Sequence, residues 1–370
     1  MKRVLLLLMA ASIVSVFVAA SAPESILAGD AVHYQQRMEE LFAGRIPYFE
    51  FAFEHQPLMI IPMAAAWLVG GFRDEPTYII TFALISFVCF AISAGVLKQV
   101  EQEVAVGIAD RFVYQAIPLL PLLLFRNDSF AVVLAVTALA AAVGESRSRL
   151  VGFGTAGILA KIWPAVLIPL ALKLRWRAAA LRLGLITAAA VAINFSPVVQ
   201  SIQEFSGLHT ESLAGSIIGS VRSVAGVDLE ITRTATAYIS APAGAMFINF
   251  VVGAAIGLCA LRAMLRSTNW SEIWSALGGL VGAGLLASPY LSPQYIAWLL
   301  PFSAISWRRA AFGSILSGVT LVTSLGWFEQ FGGSLWWWSL ILVRNLALAI
   351  LAWLLTRGVK SPKGKPMTTR

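Results

Sequence analysis

Residues 78–97 read YIITFALISFVCFAISAGVL, a run without one charged side chain, closed by Arg73, Asp74 and Glu75 before it and Lys98 after it. About 20 mostly apolar residues are what a helix needs to cross about 30 Å of hydrocarbon. Similar runs extend in both directions. The pattern predicts spans at about 3–22, 57–72, 78–97, 105–125, 128–144, 151–171, 178–198, 242–264, 272–288, 292–306, 309–327 and 335–356. Helices are expected throughout, because lipid offers no partner to an exposed peptide group. The expectation is an all-α polytopic membrane protein of about 12 transmembrane helices, with one transmembrane domain over 1–356 and a basic tail over 357–370.

Composition agrees with this. The 370 residues are 58% hydrophobic and 12% charged, whereas soluble domains carry about 25% charged residues. A soluble fold has too little interior to hide so much apolar surface. The net charge of +8 resides in short loops and in the tail, not in a basic domain, so a nucleic-acid partner is not expected. Cys89 and Cys259 sit inside apolar runs with no metal-ligand or CxxC spacing, so neither a zinc site nor a disulfide framework is implied.

Orientation follows from Lys2, Arg3, the Arg175/Arg177/Arg182 cluster, Arg308, Arg309 and the tail, all of which suit the cytoplasm. The expected location is the plasma membrane, with both termini cytoplasmic. The first segment also resembles a secretory signal, but Pro23 follows its small-residue site and favours an uncleaved span. One stretch has two readings. Arg147 and Arg149 look as cytoplasmic as Arg175, yet one span lies between them. Residues 152–171 form either a single span or a hairpin of two half-length helices with Lys161-Ile162-Trp163-Pro164 near its tip.

Two longer polar segments, 23–56 and 199–241, are then extracytoplasmic and contain all three histidines, His33, His55 and His209. In the first, Tyr34, Met38, Leu41, Phe42 and Arg45 recur at helical spacing, with Asp30, His33, Gln36, Arg37, Glu39 and Glu40 on the other face. This predicts an amphipathic helix lying on the outer membrane surface. Asp30 at its start is either an N-cap or a carboxylate placed to act as a general base. The three consecutive tryptophans Trp336, Trp337 and Trp338 are expected in the interfacial aromatic belt.

Several short motifs appear in order along the chain. Asp30 is followed by Gly44-Arg45-Ile46-Pro47-Tyr48 and by Glu54-His55-Gln56-Pro57 at the start of the second span. Then come Arg126-Asn127-Asp128, Gly157 with Lys161-Ile162-Trp163-Pro164, Glu211-Ser212, and Ser292-Pro293-Gln294-Tyr295. This ordered set, over about residues 1–301, resembles the GT-C glycosyltransferases, and most of all glycosyltransferase family 87, whose members use polyprenyl-phosphate sugars. His55-Gln56-Pro57 departs from the Tyr-Pro-Pro common in that family and leaves the role of His55 open.

The resemblance implies a GT-C fold and transfer of a sugar, mannose by analogy and arabinofuranose or another pentose as alternatives. The acceptor would be an outer-leaflet glycolipid or cell-envelope glycan, with inversion at the anomeric carbon. Asp30 matches the position of the family's base, and an ordinary Asp, with a pKa of about 3.9, is ionised at neutral pH. The leaving phosphate calls for cations, and Arg126, Lys161 and Arg344 are the candidates. Arg126 and Asp128 have an alternative reading as an ion pair at the membrane edge, and Arg344 one as a helix-packing partner. Glu54, His55, Glu211, Gln294 and Tyr295 are candidate sugar or acceptor contacts. For Glu211 the alternatives are a solvated loop acid or the first turn of a short helix. For Gln294 and Tyr295 the alternative is a helix start after Pro293. No D-x-D pair occurs in the outer segments, so no divalent metal and no cofactor is expected; the partners are the lipid-linked donor, the acceptor and membrane lipids. Two further classes of function stay open. A transporter or flippase for an anionic lipid-linked substrate would use Lys161 and Arg344 along its path, and a non-catalytic scaffold would use neither.

Overall fold

Twenty-five consecutive residues, Glu75–Gln99, form one continuous helix around the run that opened the sequence reading. Asp74 caps it, its carboxylate accepting from the Thr77 amide at 2.7 Å. Pro76 occupies the first turn and Lys98 the last, which suits the helix dipole. At 1.5 Å per residue the helix is about 37 Å long, enough to cross a bilayer. The computed structural model describes residues 12–13, 15–16, 29–51, 53–72, 74–194, 208–227, 231–233, 237–239, 244–326 and 334–357. Most of the expected first span at 3–22 and the tail beyond Arg357 lie outside them.

In chain order the helices are α1 (Gly29–Phe42), α2 (Ile60–Ala66), α3 (Glu75–Gln99), α4 (Ile108–Ala116), α5 (Leu120–Leu124), α6 (Asp128–Val143), α7 (Arg147–Ala160) and α8 (Leu167–Lys173). They continue as α9 (Arg177–Asn194), α10 (Leu213–Val224), α11 (Ala245–Arg266), α12 (Trp270–Ala287), α13 (Leu300–Ser303), α14 (Trp307–Gly326) and α15 (Leu335–Thr356). Strands β1 (Leu208–His209), β2 (Ile231–Arg233) and β3 (Ala237–Ile239) form a small antiparallel sheet in the order β1-β3-β2. It lies within the second polar segment, which also carries α10.

Among the described residues, three helices are long and apolar enough to cross a membrane: α3, α11 and α15. The all-α reading therefore holds, but the expectation of about twelve full-length spans does not. Proline divides two of the expected spans. The expected span 105–125 is divided into α4, a 3₁₀ turn at Ile117–Leu119 and α5, with Pro118 and Pro121 in the divided part. The expected span 292–306 is a 3₁₀ helix, Pro293–Leu299, followed by the four-residue α13, with Pro293 and Pro301 in it. Proline lacks the amide proton and clashes with the preceding turn, whereas a hydropathy window counts it as one more weakly polar residue. The span 57–72 passes from a 3₁₀ turn through α2 into a π turn at Trp67–Gly71.

Residues 151–171 take the hairpin reading. Helix α7 ends at Ala160, Lys161 is extended (φ −154°, ψ 143°), and a 3₁₀ turn at Trp163–Val166 leads into α8. The return is tight. A methyl placed on Gly157 would lie 3.3 Å from the Pro164 ring, and one on Gly154 would lie 3.1 Å from Leu167. The two arms have 14 and 7 residues, about 21 and 10 Å, both short of the hydrocarbon thickness.

The chain is organised in two compact units, Met1–Gln102 with Leu120–Glu204, and Glu103–Leu119 with Phe205–Thr368, where the sequence reading treats 1–356 as one domain. In the first unit α3 packs on α6, α6 on α7, and α9 on both arms of the hairpin. Helix α1 docks on α3 through Tyr34, whose ring lies 5.2 Å from that of Phe82. Its buried face is Ala31, Tyr34, Gln35 and Met38. Phe42 stays exposed and stacks on Trp67 at 4.1 Å, while Arg45 lies beyond the helix and pairs with Glu40. The surface helix expected to lie on lipid is thus held by protein along half of its apolar face.

In the second unit α12 packs between α11 and α15, and α10, α13 and α14 also reach α15. Gly282 lets α12 approach α15, since a methyl there would lie 2.6 Å from Ala352 Cβ, the close small-residue contact common between membrane helices. Trp337 and Trp338 are buried with Leu208, Ala214, Ile239, Ala245 and Ile341, and the Trp338 indole fills the space left by Gly219. Both therefore belong to the core; of the three, only Trp336 is exposed, at 71%.

Candidate functional site

Helix α1 carries Asp30, His33 and Arg37 on one stripe, as a spacing of three and four residues requires. That stripe faces protein. The Asp30 carboxylate forms an ion pair with Arg126, which lies between α5 and α6, and also accepts from the Tyr34 hydroxyl at 3.4 Å. Arg37 grips Glu54 through two nitrogens, Nε at 3.2 Å and Nη2, and His33 Nε2 lies 3.4 Å from the same carboxylate. Next to Glu54, His55 Nδ1 is 3.3 Å from the side-chain amide nitrogen of Asn127. Asp128, fully buried in the first turn of α6, faces Lys161 Nζ at 3.9 Å. The Lys161 ammonium comes from the tip of the hairpin, where the extended backbone ends α7.

Five sequence-predicted residues of the first unit besides Asp30, namely Glu54, His55, Arg126, Asp128 and Lys161, thus meet in one polar cluster with it. Each carboxylate has its own cation. The carboxylates differ in access: the side chain of Asp30 is 36% exposed, that of Glu54 22% and that of Asp128 0%. A carboxylate that must meet an incoming hydroxyl has to be the first of these. Burial pushes the Glu54 carboxyl up, but hydrogen bonds from His33 and Arg37 outweigh it and bring it down to about 2. Burial, helped by the Lys161 charge, pushes His55 down to about 3. At neutral pH His55 is an uncharged imidazole, suited to hydrogen bonding and not to holding a phosphate.

Arg37, His33, Asn127 and Tyr48 were not among the predicted site residues. Arg37 and His33 had a legible signal, since they share a helical face with Asp30. Asn127 stands inside the quoted Arg126-Asn127-Asp128 motif. Tyr48 sits in a left-handed backbone (φ 68°), and its hydroxyl donates to the His55 carbonyl at 2.5 Å. Only the folded loop reveals that contact.

The second unit holds the other predicted residues, and they do not form an open site. Arg344, fully buried in α15, donates to Glu211 Oε2 at 2.7 Å and to the Glu211 carbonyl at 2.8 Å. Asn345 accepts from the same guanidinium and donates to the Glu211 and Ser212 carbonyls and the Ser216 hydroxyl at 3.0–3.1 Å. Ser212 caps α10. Glu211 is thus neither a solvated acid nor a first-turn residue, but the buried counter-ion of Arg344 just before the cap. Gln294 is buried and accepts from Ser292 Oγ at 2.7 Å, and Tyr295 stacks on Trp298 at 4.3 Å. Both lie in the Pro293–Leu299 turn, as the helix-start alternative expects.

His209, buried in β1 and 4.5 Å from the Tyr290 ring, accepts from the Glu211 amide through Nδ1 at 3.3 Å. Burial, with the nearby Arg344 charge, pushes it down to about 3. Its folded value lies below its unfolded value, so the unfolded chain takes up the proton first. Stability is then lost as pH falls from about 6.5 towards 3, and His55, shifted in the same direction, adds to the loss. We expect the melting temperature in detergent to drop between pH 6.5 and 4.5, and His209→Asn to lessen that drop while His55 keeps part of it. An equally steep drop in the variant would assign it to other groups.

Among the described residues no group of three or more His, Cys, Asp or Glu side chains is placed to hold a metal ion. No family model matches this chain, and no curated protein matches it.

Proposed function

We propose that this protein is a membrane glycosyltransferase of the GT-C type, moving a sugar from a polyprenyl-phosphate donor to an extracytoplasmic glycolipid or envelope glycan. The observation that carries the reading is the Asp30–Arg126 pair. It puts the most exposed carboxylate of the cluster against a guanidinium that can hold a phosphate. In this mechanism Asp30 takes the proton of the acceptor hydroxyl while that oxygen forms the new bond to the anomeric carbon. The bond from that carbon to the lipid phosphate breaks, and the leaving oxygen carries away its electron pair. Arg126, paired with Asp30 in the resting state, turns to the phosphate when the donor arrives. Lys161, paired with Asp128 in the resting state, adds a second positive charge from the hairpin tip. Mannose as the sugar rests on the motif resemblance.

The reaction is tested with purified protein in nanodiscs, radiolabelled polyprenyl-phosphate mannose and an envelope glycolipid extract. Labelled glycolipid is the expected product. No product with this donor or with the arabinofuranose donor, across several extracts, would sink the reading.

The same proposal places the cluster on the extracytoplasmic side of a plasma membrane. The fold-back at Lys161 supports this orientation, because a segment that folds back returns Arg147, Arg149 and Arg175 to one side. Single cysteines at positions 149 and 177, both exposed, are expected to label from the cytoplasmic face, and one at Phe49, 79% exposed, from outside. Labelling of 149 and 177 from opposite faces would show that residues 147–173 cross the membrane.

A further inference from the structure

His55 is held more firmly than a loop side chain needs to be. Its ring is met edge-on by Tyr34 at 5.1 Å and by Phe53 at 5.6 Å, with interplanar angles of 81° and 83°. Tyr48 fixes its carbonyl. Nδ1 is engaged by the Asn127 side-chain amide, so the opposite ring nitrogen has one fixed direction. That nitrogen, Nε2, is shielded from solvent and has no hydrogen-bond partner among the described residues. The same is true of Asn127 Oδ1, on a side chain only 2% exposed. Buried polar atoms are nearly always bonded, so two bare ones on adjoining side chains call for an explanation.

The chemistry of the pair is set whichever way the amide and the imidazole are assigned. If Asn127 donates to Nδ1, the ring proton is on Nε2, leaving a donor there and an acceptor at Oδ1. If the amide is reversed, Nδ1–H donates to the amide oxygen, leaving an acceptor at Nε2 and a donor at the amide nitrogen. Either assignment leaves one donor and one acceptor, both uncharged. A phosphate oxygen or a carboxylate only accepts, and an ammonium only donates. A sugar carries several hydroxyls, each able to donate or accept, and so can meet both points.

We propose that His55 and Asn127 present one neutral donor and one neutral acceptor, on opposite sides of the imidazole, to two hydroxyls of the sugar carried by the lipid donor. The assignment rests on the lipid-phosphate-sugar reading above for the identity of the ligand. It divides the cluster by chemistry: Arg126 and Lys161 answer to the phosphate, His55 and Asn127 to the sugar. Both open atoms are covered, so a neighbour must move to admit the hydroxyls.

The test uses full-length protein in nanodiscs with ¹⁵N-labelled histidine and three lipids: polyprenyl-phosphate mannose, polyprenyl-phosphate arabinofuranose and bare polyprenyl phosphate. The His55 Nε2 resonance, assigned with His55→Gln, is expected to shift with a sugar-bearing lipid and to stay in place with the bare phosphate. Asn127→Leu is expected to weaken the sugar-bearing lipid on the order of tenfold and to leave the bare lipid unchanged; Asn127→Ser serves if the leucine variant does not fold. An equal shift with bare polyprenyl phosphate, no shift with either sugar lipid, or equal weakening of all lipids would each overturn the proposal. Transfer assays on the same samples separate the two readings. A sugar-specific shift without transfer would remove the enzyme and keep the subsite, and transfer without a shift would remove the subsite alone.

Discussion

Asp30→Asn is expected to lower glycosyl transfer by about 10²- to 10⁴-fold, the usual worth of a positioned general base, with no loss of folded protein. The substitution keeps the shape of the side chain. Its amide oxygen still accepts from Arg126 and from the Tyr34 hydroxyl, as the carboxylate does now. Only the ability to take a proton is removed. The Asp30 side chain is 36% exposed, and Arg126, 15% exposed, loses a counter-charge but keeps the amide oxygen as an acceptor. Arg126→Gln should behave differently. It should raise the donor concentration needed for half-maximal rate as well as slow the reaction, because its role is with the phosphate. Initial rates of labelled-product formation at several donor concentrations separate the two. Unchanged rates in Asp30→Asn would take Asp30 out of the mechanism and leave Glu54 as the next carboxylate to examine, although its grip by Arg37 and His33 makes it a poor base.

Arg344→Leu should damage the fold far more than the chemistry. Glu211 would be left as a buried carboxylate without its cation, a loss of about 3–5 kcal/mol for a broken buried pair. The Glu211 carbonyl would keep only Asn345. We expect a large fall in yield and melting temperature in detergent, while any folded fraction transfers sugar at a near-normal rate per molecule. Removing both charges, as Arg344→Met with Glu211→Gln, should recover much of the stability, since no unmatched charge then remains. A variant that melts normally but binds donor poorly would instead make Arg344 a ligand of the phosphate. The geometry speaks for the structural role, because Glu211, Asn345 and a backbone carbonyl occupy the guanidinium. The same partners account for one of the two intramembrane cations that prompted the transporter reading, and Asp128 accounts for the other.

Much of the cluster was legible in the chain because its residues stand in short ordered motifs. Asp30, Glu54, His55, Arg126, Asp128 and Lys161 all came from such motifs, and they meet. Gln294 and Tyr295 came from a motif of the same kind but make local contacts in the second unit, so motif membership alone did not say which residues meet. Trp336, Trp337 and Trp338 make the same point. Three identical side chains in a row received one reading, yet a helix turns about 100° per residue, and two of the three face the core.

By itself the sequence determined the solvent this chain is built for, because apolar fraction and the spacing of charges depend on composition and order alone. It determined the core of α3, whose apolar run, cap and basic last turn are all local. Tertiary structure alone decided how many runs become full-length helices, because proline breaks and helical reversals act through hydrogen bonds that hydropathy does not register. It also decided which cations are engaged. Arg126 faces the accessible Asp30 and Arg344 faces the buried Glu211, a distinction set by distance and burial between residues 96 and 133 positions apart in the chain. An arginine in or beside an apolar run reads the same in both settings until its partner is known.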